Sequence, residues 1–324
     1  MNLKHKIKIF FVLIFIFAFC HYYTFSFGKD NDTLKIAYIT DLNLYPTPVI
    51  NKAEKSYKES RAGLLIYESQ SIFQEIVKCL NQKLNPDVVV FGGNNISPPD
   101  WQLFFDMISE IKASICFVVG SNEIKLYKYN DFLKSLKVYE LDSNHTWWAK
   151  TIDNYLLIGL NSFYLFSGDI NLSKEQSKWL KAILSANKDK ATVVFLHEPV
   201  IDHNGMFVDN KNITQLLEII RLHPQVKLVV SGNENINRKF IVGGTVYVLA
   251  SSPIAYPCTF KYIEISDSSI RFEAINIPLK GIVKKAEQSL IYSQWAKTLF
   301  PGSIKSIKKH VLGQKTDNDF VVVF

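Results

Sequence analysis

The stretch PDVVVFGGNNIS, residues 86–97, joins a short apolar run to a glycine turn and two asparagines. Pro86 ends the helical pattern before it, and the consecutive Val and Phe residues at 88–91 predict a strand buried on both faces. Gly92 and Gly93 predict a tight turn where this strand ends. Strands that are apolar on both faces belong to parallel sheets covered by helices on either side.

On either side of this stretch, strands alternate with helices along most of the chain. Further apolar runs predict strands at 34–40, 113–120, 155–162, 191–199 and 226–232. Helical spacing of apolar residues predicts helices at about 61–84, 100–112, 172–184 and 212–221. The order predicts parallel βαβ units in one α/β domain over residues 29–280.

The helix at 172–184 opens with Ser173 three residues ahead of Gln176, a pattern typical of a capping box. From 240 to 277, four apolar runs predict antiparallel strands rather than further crossovers. Residues 281–324 then predict a C-terminal amphipathic helix, at 283–298, and a loosely packed basic tail from 301 onward. The tail lysines Lys305, Lys308 and Lys309 fit either an anionic surface or a solvated end.

Composition and charge limit the classes of protein that this chain can be. Its 324 residues are 48% hydrophobic and 21% charged, which is enough apolar material for a core and excludes wholesale disorder. The net charge of +7 comes from the two ends: residues 1–28 carry +3 and residues 280–324 carry +5, which leaves −1 for the body. A basic groove across the fold is therefore not indicated, and no nucleic-acid partner is expected.

The N-terminus has the pattern of a targeting segment. Lys4, Lys6 and Lys8 precede twelve unbroken apolar residues at 9–20, which is typical of a secretory signal. Extended to Phe27 the run approaches the roughly 20 residues that span a bilayer, so residues 1–28 are either a cleaved signal peptide or a retained membrane anchor. Because the lysines stay in the cytoplasm, the body is expected to be exported, either periplasmic or extracellular, or anchored facing outward.

Three cysteines lie beyond this segment: Cys79, Cys116 and Cys258. Cys79 falls on a predicted helix and Cys116 in a predicted strand, where a thiol acts as a small hydrophobic group. The sequence has no C-x-x-C pair and no zinc spacing, which excludes a disulfide-built scaffold. A single disulfide is left open.

Polar residues follow five of the predicted strands at their carboxyl ends. The five tips read DLN at 41–43, GGNN at 92–95, GSNE at 120–123, LHEP at 196–199 and GNEN at 232–235. Asn and Gly also suit ordinary turns, so one such tip alone means little. Because ligands of open α/β sheets bind at the carboxyl ends of strands, five polar tips in order predict one polar pocket.

The order and spacing of these tips resemble the calcineurin-like metallophosphoesterase family, whose five blocks are D-x-H, G-D, G-N-H-[DE], H and G-H-x-H. The likeness covers about residues 34–277. Its clearest parts are 86–97 for the G-D block, LSKEQSKWL at 172–180 for the helix before the histidine strand, and VVFLHEP and LVVSGNEN for the last two blocks. The resemblance implies a four-layer αββα sandwich with mixed parallel and antiparallel sheets. In the family, two metal ions at these blocks activate a water for phosphoester hydrolysis.

Carried over position by position, the resemblance keeps only two metal ligands, Asp41 and His197. The replaced positions are Asn43 for a histidine, Asn94 for the bridging aspartate, Ser121 for the asparagine ligand, Asn122 for the catalytic histidine, and Asn233 and Asn235 for the paired histidines. Glu123 keeps the acidic residue of the third block. No catalytic residue is assigned, because Asn122 stands where the proton-handling histidine belongs.

These replacements argue against the family's metal pair. A bridging carboxylate lets two divalent ions lie about 3.5–4 Å apart, whereas amide oxygen is a weak, neutral donor. We therefore expect no cofactor. The alternative is one calcium or magnesium ion held by Asp41, the asparagine oxygens and the neighbouring Glu123, Glu198 and Glu234. The favoured hypothesis is a non-catalytic pseudoenzyme that binds a polar ligand or an envelope protein. The alternative is an active metal-dependent phosphoesterase with an atypical or single-metal site, so whether the chain is an enzyme is left open.

Overall fold

The computed structural model describes residues 33–45, 63–96, 101–124, 134, 146–163 and 170–324. The predicted targeting segment at 1–28 lies outside the described residues. In the part of the chain that is described, no helix is both long and apolar enough to cross a bilayer.

The described strands form two six-stranded sheets. Their bounds are β1 Leu34–Ile39, β2 Val88–Phe91, β3 Ser114–Phe117, β4 Trp148–Ile152, β5 Tyr155–Gly159, β6 Ala191–Phe195, β7 Val226–Ser231, β8 Arg238–Val242, β9 Thr245–Leu249, β10 Thr259–Ile265, β11 Ser269–Asn276 and β12 Asp319–Val323. The first sheet has the order β12-β11-β10-β1-β2-β3, and the second has the order β4-β5-β6-β7-β9-β8. The central strands β1–β2–β3 and β5–β6–β7–β9 are parallel, and the remaining pairs are antiparallel.

Helices cover the outer faces of the sheets. Their bounds are α1 Ser69–Cys79, α2 Gln102–Ile108, α3 Ser121–Ile124, α4 Ile170–Ala186, α5 Lys211–Arg221, α6 Ile282–Leu290, α7 Gln294–Leu299, α8 Ile304–Leu312 and α9 Lys315–Asn318. A 3-10 turn, Ile66–Glu68, leads into α1, and a π-helical turn, Leu80–Leu84, follows it. The π turn ends at Asn85, whose φ of 44° lies in the left-handed region that Asn tolerates.

Two apolar cores hold the layers together. Alternate residues of a strand point to opposite faces, so Tyr38 of β1 lies between the two sheets while Ile39 lies beneath the helices. Between the sheets, Tyr38 stacks on Phe195 of β6 with ring centroids 5.7 Å apart. The fold is thus the four-layer α/β sandwich with mixed sheets that the sequence predicts.

The strand predictions are confirmed to within a few residues, but two helix starts differ. The helix predicted from residue 61 begins only at Ser69, because Gly63 has a φ of +70° and the Leu65 N–H donates to Ile254 rather than to a helical carbonyl. The capping box is wrong, since α4 already includes Ile170 and Ser173 lies inside it. Gln176 instead uses its side chain to bind the backbone of Asn161, at 2.8 and 3.1 Å.

The predicted antiparallel strands of 240–277 are only partly correct. The pairs β8–β9 and β10–β11 are antiparallel, but β9 also pairs parallel with β7. The chain then crosses to the other sheet, where β10 inserts between β1 and β11. The local alternation of apolar residues predicts strands but does not indicate to which sheet each strand belongs.

The C-terminal prediction needs a larger correction. Ser293 caps a second helix by accepting from the Ala296 N–H at 3.0 Å, so 283–298 is two helices, α6 and α7. Residues 301–324 are not a loosely packed tail: they form α8, α9 and β12, and β12 is the edge strand of the first sheet. Ile307 and Val311 are buried in the outer core, so 281–324 are an integral part of the sandwich.

Candidate binding site

The five polar strand tips meet at one end of the two sheets. Five of their residues, Asp41, Asn43, Asn94, Asn233 and Asn235, have φ between 44° and 67°. Asn and Asp adopt this left-handed conformation at lower cost than other residues with a side chain, because their short polar groups hydrogen-bond locally. Part of the reason for so many asparagines here is therefore the shape of the turns.

Asp41 links the first tip to the last. Its carboxylate is buried, and Oδ2 accepts hydrogen bonds from Thr40 Oγ1 and from the Asn233 N–H, both at 2.8 Å. Gly232 makes this approach feasible, since an added Cβ would lie 2.1 Å from Thr40 Oγ1. The second oxygen, Oδ1, faces His197. Asn233 thus contributes its backbone to this contact, while the residue itself is exposed.

His197 is completely buried beside Asp41. Its Nδ1 lies 2.8 Å from the Gly92 carbonyl, which makes Nδ1 the protonated nitrogen. Its Nε2 lies 3.7 Å from Asp41 Oδ1 and has no hydrogen-bond partner among the described residues. Burial lowers the pKa of His197, but the carboxylates of Asp41, Glu198 and Glu123 outweigh burial, and the pKa is raised.

The asparagines of the first three tips bond directly to one another. Asn122 donates from Nδ2 to Asn43 Oδ1 at 2.8 Å, and its backbone N–H donates to Asn94 Oδ1, also at 2.8 Å. Asn43 in turn donates from Nδ2 to the Asp41 carbonyl at 3.0 Å. Ser121 Oγ lies 3.5 Å from the same Asn94 oxygen, at the limit of hydrogen bonding. The amides therefore use much of their bonding capacity on each other.

Glu123 is bound from both sides by backbone. Its carboxylate is buried and accepts hydrogen bonds from four N–H groups, those of Asn94, Asn95, Ile96 and Gly120, at 2.8–3.3 Å. Burial raises the pKa of this carboxyl, and the nearby His197 and the N–H donors oppose that rise. Since both oxygens are engaged, Glu123 connects two tips and has little capacity to hold a cation.

Of the other two glutamates near the site, Glu198 is hydrogen-bonded, whereas Glu234 Oε2 is buried and has no hydrogen-bond partner among the described residues. Glu198 accepts a hydrogen bond from Ser162 Oγ, which follows β5 and also accepts the His197 and Glu198 N–H groups at 3.1 and 2.9 Å. Glu234 Oε2 lies 3.5 Å from His203 Nδ1, and burial raises the pKa of Glu234 to about 7. Asn235 Oδ1 is buried and has no hydrogen-bond partner within the described residues.

Three supporting residues were missed by sequence reasoning. Thr40 and Ser162 could have been found, because each stands at the end of a predicted strand beside a polar tip. Ser252 donates to the Asp41 carbonyl at 2.8 Å from a loop 211 residues away, and no local pattern indicates that contact.

A pair of divalent ions does not fit these residues. In the part of the chain that is described, no group of three or more His, Cys, Asp or Glu side chains is placed to hold a metal ion. Asp41 Oδ1 and His197 Nε2 are the free anionic and imidazole donors that face each other, and the remaining aligned positions are neutral amides or a hydroxyl. Amide oxygens suit hard cations such as calcium at best, and amide nitrogens do not ligate.

The chain is similar in sequence to bacterial proteins that are phosphodiesterases or probable ones. A 3′,5′-cyclic adenosine monophosphate phosphodiesterase of Haemophilus influenzae is 23% identical over 221 residues, covering 65% of this chain and 73% of that protein. A probable glycerophosphodiester phosphodiesterase of Arcobacter nitrofigilis is 21% identical over 204 residues, covering 59% of this chain and 73% of that protein.

Solved structures show the same fold at lower identity. A dimetal phosphatase from Danio rerio matches with a TM-score of 0.57 and 14% identity, over 75% of this chain and 96% of that one. GAP50, the anchor in the inner membrane complex of Plasmodium, matches with a TM-score of 0.54 and 14% identity, over 81% of this chain and 95% of that one. The family model for calcineurin-like phosphoesterases matches residues 34–234, which is most of the described sandwich. The chain belongs to the calcineurin-like phosphoesterase family.

Proposed function

We propose that this chain is an exported pseudoenzyme of the calcineurin-like phosphoesterase family, which binds a polar ligand or an envelope protein at its strand tips. The observation that carries the proposal is the hydrogen bond of 2.8 Å between Asn122 Nδ2 and Asn43 Oδ1. It joins the position aligned with the catalytic histidine to a position aligned with a metal ligand. The two amides therefore hydrogen-bond to each other, where the family has a metal ligand and a catalytic histidine.

The chemistry of the aligned positions supports the same conclusion. Hydrolysis in the family needs a metal-activated water and a proton-handling residue. An amide at 94 brings no negative charge to bridge two ions, and an amide at 122 does not titrate near neutral pH. What persists is a polar surface with three buried atoms, His197 Nε2, Glu234 Oε2 and Asn235 Oδ1, that have no hydrogen-bond partner among the described residues. A ligand with hydrogen-bonding groups would satisfy them.

Among the similar proteins, some have names that indicate hydrolysis and one has a name that indicates a binding role. The bacterial relatives named above are phosphodiesterases, or probable ones, which favours an ancestry in phosphodiester hydrolysis. The Plasmodium protein of the same fold is an anchor, which is a binding role. The fold is therefore compatible with either hydrolysis or binding. The choice between them depends on the side chains at the strand tips.

A second candidate function is hydrolysis with one divalent cation. It is favoured by Asp41 Oδ1 and His197 Nε2, which face each other at 3.7 Å and have capacity to ligate together. The carboxylate of Glu198 lies nearby and raises the pKa of His197. Two or three donors of this kind are fewer than a stable Mg²⁺ or Zn²⁺ site normally uses.

Metal content and hydrolysis, measured on one preparation of the full-length chain, separate the two functions. The pseudoenzyme should contain well under one divalent ion per chain and should not hydrolyse bis(p-nitrophenyl) phosphate with added Mn²⁺. The matched variant Asp41→Asn should behave like the wild type in both measurements. One bound ion per chain, together with hydrolysis that Asp41→Asn abolishes, would overturn the proposal in favour of the single-metal enzyme.

Export is tested separately from chemistry. The proposal rests on Lys4, Lys6 and Lys8 before the apolar run at 9–20, which favours a cytoplasmic N-terminus and an exported body. A reporter enzyme that is active only after export, fused after residue 40, should be active. The same fusion with the three lysines moved to follow residue 20 should lose activity. Activity of a cytoplasm-only reporter at residue 40 would contradict export.

A further inference from the structure

The outer surface of the C-terminal helices is rich in lysine and contains no arginine. Residues 280–324 contain eight Lys, no Arg and three acidic residues. Asp317 is buried and accepts hydrogen bonds from the Lys239 and Gln314 N–H groups, so it does not neutralise this surface. Lys285 pairs with Glu68, and Lys308 pairs with Glu287. The remaining six lysines are exposed and form no ion pair with the described residues.

The packing of α6 and α8 places these lysines on one face. Glu287 of α6 contacts Lys308 of α8, so the two helices lie side by side. Both bury their apolar residues, Ala286 and Leu290 from α6 and Ile307 and Val311 from α8, in the same outer core. Their opposite sides must therefore share one solvent-facing surface.

Exposed apolar side chains lie among the lysines. On α8, Lys305, Lys309 and Leu312 have a spacing of four and three residues, which aligns them along one stripe. Leu312 is 40% exposed, and just after α6, Ile291 is 39% exposed and Tyr292 is 70% exposed. We call the six exposed residues Lys284, Ile291, Tyr292, Lys305, Lys309 and Leu312 the C-terminal lysine surface.

We infer that the C-terminal lysine surface binds the face of an anionic lipid bilayer. Protein interfaces favour Arg and are depleted in Lys, because the guanidinium makes directed, bidentate bonds. Lipid headgroups require only diffuse positive charge, which lysine supplies on a flexible stem. Tyr292 and the aliphatic side chains add the shallow apolar contact that interfacial helices make. The combination fits a membrane better than it fits an acidic protein.

Vesicle sedimentation with the full-length chain tests this inference. The variant Lys284→Gln/Lys305→Gln/Lys309→Gln is compared with wild type on vesicles of phosphatidylcholine alone and with added phosphatidylglycerol. The matched control is Lys174→Gln/Lys178→Gln/Lys181→Gln, which removes the same charge from the exposed side of α4. The N-terminal lysines also respond to anionic lipid, so the measured quantity is the ratio of each variant to wild type.

At low salt we expect the α6–α8 variant to bind phosphatidylglycerol vesicles about a hundredfold more weakly than wild type, since each lysine contributes roughly a fivefold factor. The α4 control should lose less than a few fold, and 0.5 M salt should remove the difference between the variants. Tyr292→Ser alone should weaken the binding of the wild-type chain to phosphatidylglycerol vesicles without changing the salt dependence of that binding. Equal binding by the two triple variants would overturn the inference. So would binding to soluble polyglutamate that matches vesicle binding and is unaffected by Tyr292→Ser, because that result would indicate an acidic protein partner.

Discussion

Asn122 donates a hydrogen bond of 2.8 Å to Asn43, across 79 residues of sequence, and so joins the first and third strand tips directly. In the family that this chain belongs to, metal ions hold those tips together. Here the tips are connected by bonds between amides, by the Glu123 carboxylate and by the Asp41 contact with the Asn233 N–H. The pocket can therefore keep its shape with no ion in it.

If this bond holds the pocket together, Asn43→Ala and Asn122→Ala should not have additive effects. Each should lower the free energy of unfolding by about 1–2 kcal/mol, because each removes the hydrogen bond between a buried amide and a half-buried one. The double variant should cost about 1 kcal/mol less than the sum of the two single variants. Urea unfolding of all four proteins measures the coupling, and Gln288→Ala on the exposed side of α6 is the control. Additive effects would mean that the two amides do not stabilise each other.

Glu123→Gln should destabilise the fold, although the Glu and Gln side chains have nearly the same shape. Each Glu123 oxygen accepts from two backbone N–H groups, so an amide NH₂ in place of either oxygen would face two donors. We expect a loss of roughly 2–3 kcal/mol of unfolding free energy. Thermal and urea unfolding check the value. Glu175→Gln on the exposed side of α4 is a matched control and should change stability by less than about 0.5 kcal/mol.

Much of this architecture could be predicted from the sequence, because a continuous apolar run indicates a strand that is buried on both faces of its sheet. The tips could be predicted for the same reason, since each follows such a run. The role of Glu123 could not, because it depends on the directions of four N–H groups from two loops. The edge strand β12 was not predicted, because the lysines that precede it favour a solvated tail, although Phe320 to Phe324 is an apolar run.

Lys261 should make stability depend on pH above neutrality. It lies on β10 facing the space between the sheets, is completely buried, and its Nζ has no hydrogen-bond partner among the described residues. Burial lowers its pKa from 10.5 to about 7, although Asp319 and Asp317 oppose the shift. Between about pH 7 and 10.5 the unfolded chain binds a proton that the folded chain does not. Stability should therefore rise with pH across this window.

Lys261→Met should remove that rise and increase stability at pH 7 by about 1–4 kcal/mol, because an apolar side chain carries no desolvation cost. Urea unfolding at several pH values from 6.5 to 10 measures both effects. Lys315→Met, an exposed position on α9, serves as the control and should keep the slope of wild type. A wild-type stability profile that runs parallel to that of Lys261→Met between pH 7 and 10 would show that Lys261 is not buried as a neutral amine.

The final prediction concerns metal and stability together. In a dimetal enzyme the ions bind only the folded state and stabilise it by RT ln(1 + [L]/Kd), about 4 kcal/mol at a thousandfold excess over Kd. Here the aligned site offers Asp41, His197 and amides, and Asn94 removes the bridging charge that two cations require. We expect chelator to leave the Tm unchanged and micromolar Mn²⁺ or Zn²⁺ not to raise it.

The joint reversion Asn43→His, Asn94→Asp, Ser121→Asn, Asn122→His, Asn233→His and Asn235→His should restore metal-dependent melting. Single reversions should not, because each ligand acts only with its partners present. Scanning calorimetry with and without chelator checks each protein. A wild-type sample that melts several degrees lower after chelation, and loses phosphodiester hydrolysis at the same time, would refute the pseudoenzyme proposal.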